Sequence, residues 1–433
     1  MSSTFRTEIH GSLRWLRTRW SQSFFAGAPP VELGFYRILF YGFVSYFLAF
    51  RPTDVTRWAE VPDVFWTPTS FFRLLHLPVL LATTLVVALW AWRASLVLAL
   101  IGLFTRLSML VAFVLGFYLL GLPHNFGKVN HNDAIVVLGL AIFALSRAGD
   151  VWSLDAIWRA RSGAVATTGA SGNYSWPVAL YRLMLSLVPF SAGVAKARGA
   201  GLVAWVLSNN LYDILIAHHY SHSPPTRVGL LLVWFPWICQ VLAGGAVILE
   251  LSTPLLVMLP LVLRTLLAAS VVAMLVGFWL MMGVFFQELI ILFVIFFFPW
   301  KEVAGWLVDR SWPPPLAVLY DGSCGLCNRT IAILRALDVF DRLEVRDVLG
   351  DWPAVSARWP ILDQPACLED MHVITNYGRI YTGFYGYRAL AWYLPLAWLV
   401  LPLLYTPGVP FIGVRVYSFV ARRRHTAGCP PPM

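Results

Sequence analysis

The chain has 433 residues, of which 59% are hydrophobic and only 12% are charged, and its mean hydropathy is +0.70. Because soluble domains carry about 25% charged residues, this composition excludes an ordinary soluble protein and predicts a polytopic α-helical membrane bundle surrounded by lipid. The net charge of +10 comes from basic residues scattered at the ends of apolar segments. They form no continuous basic surface, so nucleic acid is not an expected partner.

The first 30 residues form a basic amphipathic segment. Its arginines are Arg6, Arg14, Arg17 and Arg19, and they alternate with leucines and tryptophans. Two interpretations stay open. The segment lies on an anionic lipid surface, or it is a basic flank that orients the first span.

About eight apolar spans are expected in a membrane domain over residues 31–300. Their predicted limits are 33–50, 78–103, 107–122, 133–146, 177–195, 228–258, 262–282 and 284–299. If the N-terminus is cytoplasmic, Arg106, Arg147, Arg159, Arg161 and Arg264 lie inside, whereas Arg51, Arg57 and Arg73 lie outside. The positive-inside rule favours this orientation. An even number of spans then returns the C-terminal domain to the cytoplasm, and we expect a bacterial inner membrane.

Three polar clusters interrupt the apolar spans, where ionisable side chains are costly and therefore candidates for function. The first, residues 123–133, contains Asn130 and His131 and is either a reactive cluster or a capped, hydrated loop. The second contains Lys196, which acts as a base if it is poorly hydrated, or else extends to the lipid interface.

The third cluster consists of isolated acids and amides, chiefly Glu250. Glu250 needs a cationic partner, which Arg37, Arg182 or Lys196 could supply, and structural pairing is as plausible as chemistry. A histidine-rich loop contains His218, His219 and His222, but no carboxylate or cysteine accompanies them at ligand spacing, so no metal site is expected.

A proline-rich linker is predicted at residues 301–315, and a C-terminal α/β domain is predicted at 316–433. In this domain a short apolar run, 316–320, indicates a strand, Asp321 and Gly322 form a turn, and a helical pattern follows. Cys324 and Cys327 lie at the start of that helix. The helix dipole stabilises a thiolate there, and the spacing lets the second thiol resolve a mixed disulfide.

Two alternatives to a redox dithiol stay open. A structural zinc site needs four ligands, and no second pair follows at zinc spacing. Two ordinary buried cysteines are the other alternative. The agreement of strand, turn, dithiol and helix favours redox chemistry. Cys429, near the basic C-terminal tail, is a further thiol that could form a mixed disulfide.

The C-terminal domain resembles the DCC family of thiol-disulfide oxidoreductases. The resemblance rests on the Asp-x-x-Cys-x-x-Cys signature at Asp321, Cys324 and Cys327, on residues 371–383, and on the basic tail at 417–425. It implies a thioredoxin-like fold, with Cys324 as the nucleophile, Cys327 as the resolving thiol and a thiol partner protein.

Residues 31–300 resemble the HTTM domain, the membrane domain shared with vitamin K-dependent γ-carboxylase. The matching pieces are Glu32 to Arg37, Gly102 to Arg106, Asn130-His131, Trp152 to Asp155 and Ala192 to Lys196. The resemblance implies that Lys196 is the active-site base, supported by His131. Asn130, Arg37 and Glu250 are then expected to bind a quinone-like cofactor such as reduced vitamin K. Peptide carboxylation itself does not carry over, because the large lumenal region is missing.

Three functions follow from these patterns. The favoured one is a membrane redox or acid–base enzyme that acts on a lipid-soluble small molecule and receives electrons from the dithiol. The second is a thiol-disulfide reductase for which the bundle is only an anchor. The third is a lipid or small-molecule transporter whose polar clusters line a path.

Overall fold

The computed structural model describes residues 18, 20–49, 54–127, 131–162, 169–199, 201–311 and 314–423. The chain divides into two compact units. The first comprises Met1–Ala148 and Gly169–Pro299, and the second comprises Gly149–Thr168 and Trp300–Met433. The C-terminal unit therefore includes a loop from within the membrane domain that was predicted at 31–300.

The helices of the described residues are, in chain order, α1 Pro30–Val44, α2 Arg57–Glu60, α3 Ser70–Leu74, α4 Ala82–Ile101, α5 Thr105–Gly121, α6 His131–Ala144, α7 Leu154–Arg161, α8 Gly172–Arg198, α9 Leu202–Leu207, α10 Asn210–His222, α11 Val228–Val233, α12 Pro236–Ser252, α13 Leu261–Met282, α14 Gln287–Phe297, α15 Trp300–Ser311, α16 Gly325–Leu337, α17 Trp352–Arg358, α18 Gln364–Glu369, α19 Gly383–Tyr393, α20 Leu401–Tyr405 and α21 Val409–Arg423. The strands are β1 Leu316–Tyr320, β2 Leu343–Asp347, β3 His372–Ile374 and β4 Ile380–Thr382.

Five helices of the described part are long and apolar enough to cross a membrane. They are Ala82–Ile101, Thr105–Phe126, Gly172–Arg198, Pro236–Val257 and Leu261–Met282. A sixth crossing results if α14 and α15, bent by 61°, count as one span. The predicted eight spans are therefore not confirmed. One reason is length: α6 has 14 residues, and at about 1.5 Å per residue it falls short of a hydrocarbon core of about 30 Å.

An aromatic cluster forms the centre of the helical unit. It consists of Phe40, Phe143, Tyr181 and Phe296, all fully buried, with Phe40 stacked on Phe143 at 5.0 Å between ring centroids. Gly139 on α6 lets the helix approach this cluster closely, because a Cβ there would lie 2.5 Å from the Phe40 ring. Tight aromatic packing helps to hold these helices together, and a hydrogen bond from the Tyr181 hydroxyl to the Ile135 carbonyl adds to it.

The C-terminal unit is built on a four-stranded sheet in the order β2-β1-β3-β4. β1 pairs in parallel with β2 and antiparallel with β3, which pairs antiparallel with β4. Alternate residues of β1 enter two apolar clusters, one on each face of the sheet. A strand buried on both faces must read as a continuous apolar run, which is what residues 316–320 show.

Two further helices complete this unit in places that were not predicted. α15 covers most of residues 301–315, so this segment is largely helical rather than a proline-rich linker. α7, which follows α6 in the chain, packs against α16, the helix that carries the dithiol. Of the predicted amphipathic segment 1–30, residues 1–17 and 19 lie outside the described part.

Candidate active site

The dithiol lies where β1 gives way to α16. Cys324 is the N-cap of α16, and its backbone N–H donates to the Asp321 carbonyl at 3.2 Å. Cys327 lies in the first turn of the helix. Both sulfurs are therefore close to the unpaired N–H groups and the positive end of the helix dipole, an environment that stabilises a thiolate.

The turn before the dithiol is held by two aspartates. The Asp321 carboxylate is buried and accepts from the backbone N–H of Ser323 at 3.0 Å and from its hydroxyl at 2.6 Å. Asp347, at the end of β2, accepts from the Gly322 N–H at 2.9 Å. Asp321, predicted to be catalytic, holds the loop through these hydrogen bonds to Ser323, and its catalytic role stays a prediction.

The two cysteines of the motif are in different states. Cys324 is disulfide-bonded and has no exposed surface. Cys327 is partly exposed, Cys239 and Cys367 are buried, and these three cysteines are not disulfide-bonded. The partner of Cys324 is therefore none of the other three described cysteines. Cys429, for which the sequence indicates a mixed disulfide, lies outside the described residues.

A cavity of about 110 Å³ opens beside Cys327. Its lining residues are Tyr320, Leu326, Cys327, Thr330, Ile331, Met371, Tyr387, Tyr417, Val420 and Ala421. None of these side chains carries a formal charge when the thiol is protonated. The wall is formed by residues of β1, α16, α19 and the C-terminal helix α21, together with Met371, which directly precedes β3. The cavity therefore exists only in the folded domain.

Three tyrosines surround the thiol. Burial raises the pKa of Tyr387 and of Tyr417, and it also raises the pKa of Tyr320, where Asp347 adds to the effect. The Tyr387 phenol is hydrogen-bonded to the Thr330 side chain, and the Tyr417 hydroxyl accepts from the backbone N–H of Met371 at 3.3 Å. These phenols are therefore neutral near pH 7, and the hydroxyl groups of Tyr387 and Tyr417 are hydrogen-bonded to other groups of the protein.

Lys196, predicted to be the active-site base, and Glu250, predicted to bind a cofactor, form an ion pair between α8 and α12. The Lys196 ammonium contacts both carboxylate oxygens, with 2.7 Å to Oε2. Glu250 is buried and Lys196 is largely buried, and the ammonium also lies 5.5 Å from the Trp205 ring centroid. Removing charge from either partner would leave the other uncompensated in an apolar setting, so this geometry suits helix pairing.

Of the rest of the predicted membrane site, the side chain of Arg37 is among the described residues. The Arg37 guanidinium is buried and donates to the Ala148 carbonyl at 3.0 Å. Asn130 and the side chain of His131 lie outside the described residues, so their proximity to Lys196 remains a prediction. Arg182, another candidate partner of Glu250, donates instead to the Phe296 carbonyl.

Sequence reasoning missed the cavity residues on the C-terminal side. Met371 and Tyr417 begin the two segments that carry the family resemblance, but nothing in their spacing shows that they meet the dithiol helix. The available signal is compositional: several tyrosines follow β4 in a domain with few polar core residues. That pattern predicts a polar-edged apolar pocket without locating it.

At the N-terminus of α16, which follows a buried strand, two cysteines lie three residues apart and one of them is disulfide-bonded. This is the arrangement expected of a thiol-disulfide redox site. Comparison with family models agrees: residues 318–429 match the DCC1-like thiol-disulfide oxidoreductase family, so the chain carries a domain of this family. Comparisons with curated proteins and with solved structures give no match. The resemblance of residues 31–300 to the HTTM domain is not confirmed by these comparisons.

Proposed function

We propose that the protein is a membrane-anchored thiol-disulfide oxidoreductase. The observation that carries the proposal is the cysteine pair of the DCC1-like domain, with Cys324 in a disulfide and Cys327 as a thiol in the wall of a cavity. The order and directions of the four strands support a thioredoxin-like fold for this domain. The membrane helices then serve as an anchor, and the sequence-based alternative of a tethered reductase replaces the carboxylase-like reaction.

The proposed reaction is a disulfide exchange in two halves. In the first half, the Cys324 thiolate attacks a substrate disulfide, forms a mixed disulfide and releases one substrate thiolate. In the second half, the Cys327 thiolate attacks Cys324 and releases the second substrate thiol. The Cys324–Cys327 disulfide forms, so the substrate gains two electrons and the dithiol loses two.

Packing within the C-terminal unit supports a cytoplasmic location for the dithiol. Because α7 packs against α16, residues 154–161 and the dithiol lie on the same face. Arg147, Arg159 and Arg161 lie in or next to this segment, which favours the cytoplasmic face. An even number of crossings must then separate α7 from β1. α8, α12 and α13 are candidate crossings in this stretch, and the bent pair α14–α15, counted as one span, would be the fourth.

The proposal is tested on the full chain in nanodiscs, because α7 contributes to the C-terminal unit and an isolated fragment would lack it. The reduced protein should convert a peptide disulfide to thiols at a rate proportional to its concentration. Cys324→Ser should abolish the reaction. Cys327→Ser should stop it at a stable mixed disulfide, detected by mass spectrometry. Full activity of Cys324→Ser would refute the proposal.

Lys196→Met distinguishes an anchor from an enzymatic membrane domain. If the bundle only anchors the dithiol, the variant reduces the same peptide at the wild-type rate once it is folded. A complete loss of peptide reduction in a folded Lys196→Met variant would show that the ion pair takes part in the chemistry.

A further inference from the structure

The cavity beside Cys327 has a size and a lining that limit what it can hold. An apolar cavity of about 150 Å³ is large enough to bind benzene. At about 110 Å³, this cavity is smaller, so it has room for a branched aliphatic side chain and not for a two-ring quinone. Its volume therefore separates a peptide side chain from the lipid-soluble cofactors considered from sequence.

The chemistry of the wall agrees with an apolar occupant. Leu326, Ile331 and Met371 contribute apolar surface. The hydroxyl groups of Tyr387 and Tyr417 are engaged with Thr330 and the Met371 backbone. A charged group placed here would lose its hydration and find no counter-charge on the wall, which is strongly unfavourable.

The position of the cavity relates it to the substrate. Cys327 forms part of the wall and lies one helical turn from Cys324, the cysteine that is disulfide-bonded. Because Cys324 is the N-cap of the helix whose first turn contains Cys327, a polypeptide joined to Cys324 brings the residues beside its own cysteine towards this opening. The rim includes Val420, which is exposed on α21, so a side chain can enter from the surface.

We propose that this cavity is the specificity pocket of the oxidoreductase. It receives a neutral, branched aliphatic side chain adjacent to the reacting cysteine of the substrate protein while the mixed disulfide on Cys324 awaits attack by Cys327. This inference rests on the proposed function and adds the substrate class: a protein disulfide flanked by valine or leucine, rather than a small charged disulfide such as glutathione disulfide.

α21 offers the means to test the pocket without changing the dithiol. Tyr417 of this helix rests on Gly383, where an added Cβ would lie 2.9 Å from the ring, so the helix is firmly seated over the opening. Ala421→Met fills the cavity from its wall. Val416→Met places the same side chain on an exposed position of the same helix and serves as the matched control.

The experiment uses the reduced full chain in nanodiscs and symmetric disulfides of tripeptides in which cysteine is followed by Gly, Val, Leu, Phe or Asp. Released peptide thiol is quantified by chromatography. The wild type and Val416→Met should reduce the Val and Leu peptides at least about tenfold faster than the Gly peptide, the lower end of what a hydrophobic pocket distinguishes. Ala421→Met should lose this preference, so that its rates for the Val and Leu peptides fall to within about twofold of its rate for the Gly peptide.

A second variant protects the test if Ala421→Met does not fold. Val420→Ala enlarges the opening and should shift the preference from Leu towards Phe. Equal rates for all peptides in the wild type, or a preference for Asp, would overturn the pocket while leaving the oxidoreductase function intact. Absence of any exchange with every peptide would instead overturn the proposed function, and the pocket with it.

Discussion

Replacement of Gly322 by alanine probes how the turn before the dithiol is held. A Cβ at this position would lie 2.6 Å from Oδ1 of Asp347 and closer still to the rest of the carboxylate. The carboxylate would have to move, and it would lose the 2.9 Å hydrogen bond from the Gly322 N–H and weaken the 3.1 Å bond from the Leu349 N–H. The turn would then open more readily.

The size of this effect follows from the bonds lost. A hydrogen bond to a charged group contributes about 1.5–3 kcal/mol, and water compensates part of it because Asp347 is partly exposed. We expect Gly322→Ala to lower the free energy of local opening by about 2 kcal/mol. Since about 1.4 kcal/mol is a factor of ten, the opening constant should rise roughly 30-fold.

Hydrogen exchange of the full chain in detergent, followed by mass spectrometry of peptides covering residues 318–330, measures this opening directly. Gly325→Ala is the matched control, because an added Cβ there meets no atom within 4 Å and alanine favours the helix. In an Asp347→Ala background, Gly322→Ala should cost almost nothing more. Wild-type exchange in Gly322→Ala, or an undiminished cost in that background, would refute the reasoning.

Three further outcomes are expected. Burial raises the pKa of Cys367 to about 11, so iodoacetamide at pH 8 should modify Cys327 in the reduced chain and leave Cys367 unmodified until the protein unfolds, as measured by mass spectrometry. Because the ordinary pKa of the thiol is 9.0, the contribution of Cys367 to folding stability is complete below pH 9.0 and is lost as the pH rises towards about 11. Lys196→Met should destabilise the detergent-solubilised protein by about 3–5 kcal/mol in chemical unfolding, and adding Glu250→Gln should recover most of the loss; a double variant as unstable as the single one would contradict a structural pair. Gly139→Ala should cost about 1–3 kcal/mol, measured the same way, because its methyl group would penetrate the aromatic cluster, and an unchanged midpoint would argue against that packing.

In the dithiol domain, the local sequence pattern predicts the secondary structure around the cysteines. The apolar run 316–320, the turn at Asp321 and Gly322, and the helical period after Cys327 each express a local preference that the tertiary structure keeps. The spans were less predictable. Residues 228–258 read as one apolar stretch, but the chain breaks before Pro236, and only the packing of neighbouring helices decides how such a break is accommodated.

The pairing of polar residues in the membrane helices could not be predicted from the sequence. Sequence established that Glu250 needs a cationic partner and left three candidates. Lys196 is the partner because α8 and α12 cross at that height, while Arg182 turns to a backbone carbonyl of α14. Partner choice of this kind depends on helix rotation and crossing, for which a uniformly apolar sequence carries almost no signal.

By itself, the sequence determined the membrane character of the chain, the position of the redox motif and the strand and helix around it, because composition and short-range periodicity are local properties. Tertiary structure alone decided that Cys327 opens into an uncharged cavity, that the loop after α6 packs against the dithiol helix, and that α21 closes over the site. These features join residues that are far apart in the sequence, such as Cys327 and Tyr417, or α7 and α16. Their proximity results from the packing of apolar faces against one another, and no short stretch of sequence records which faces will meet.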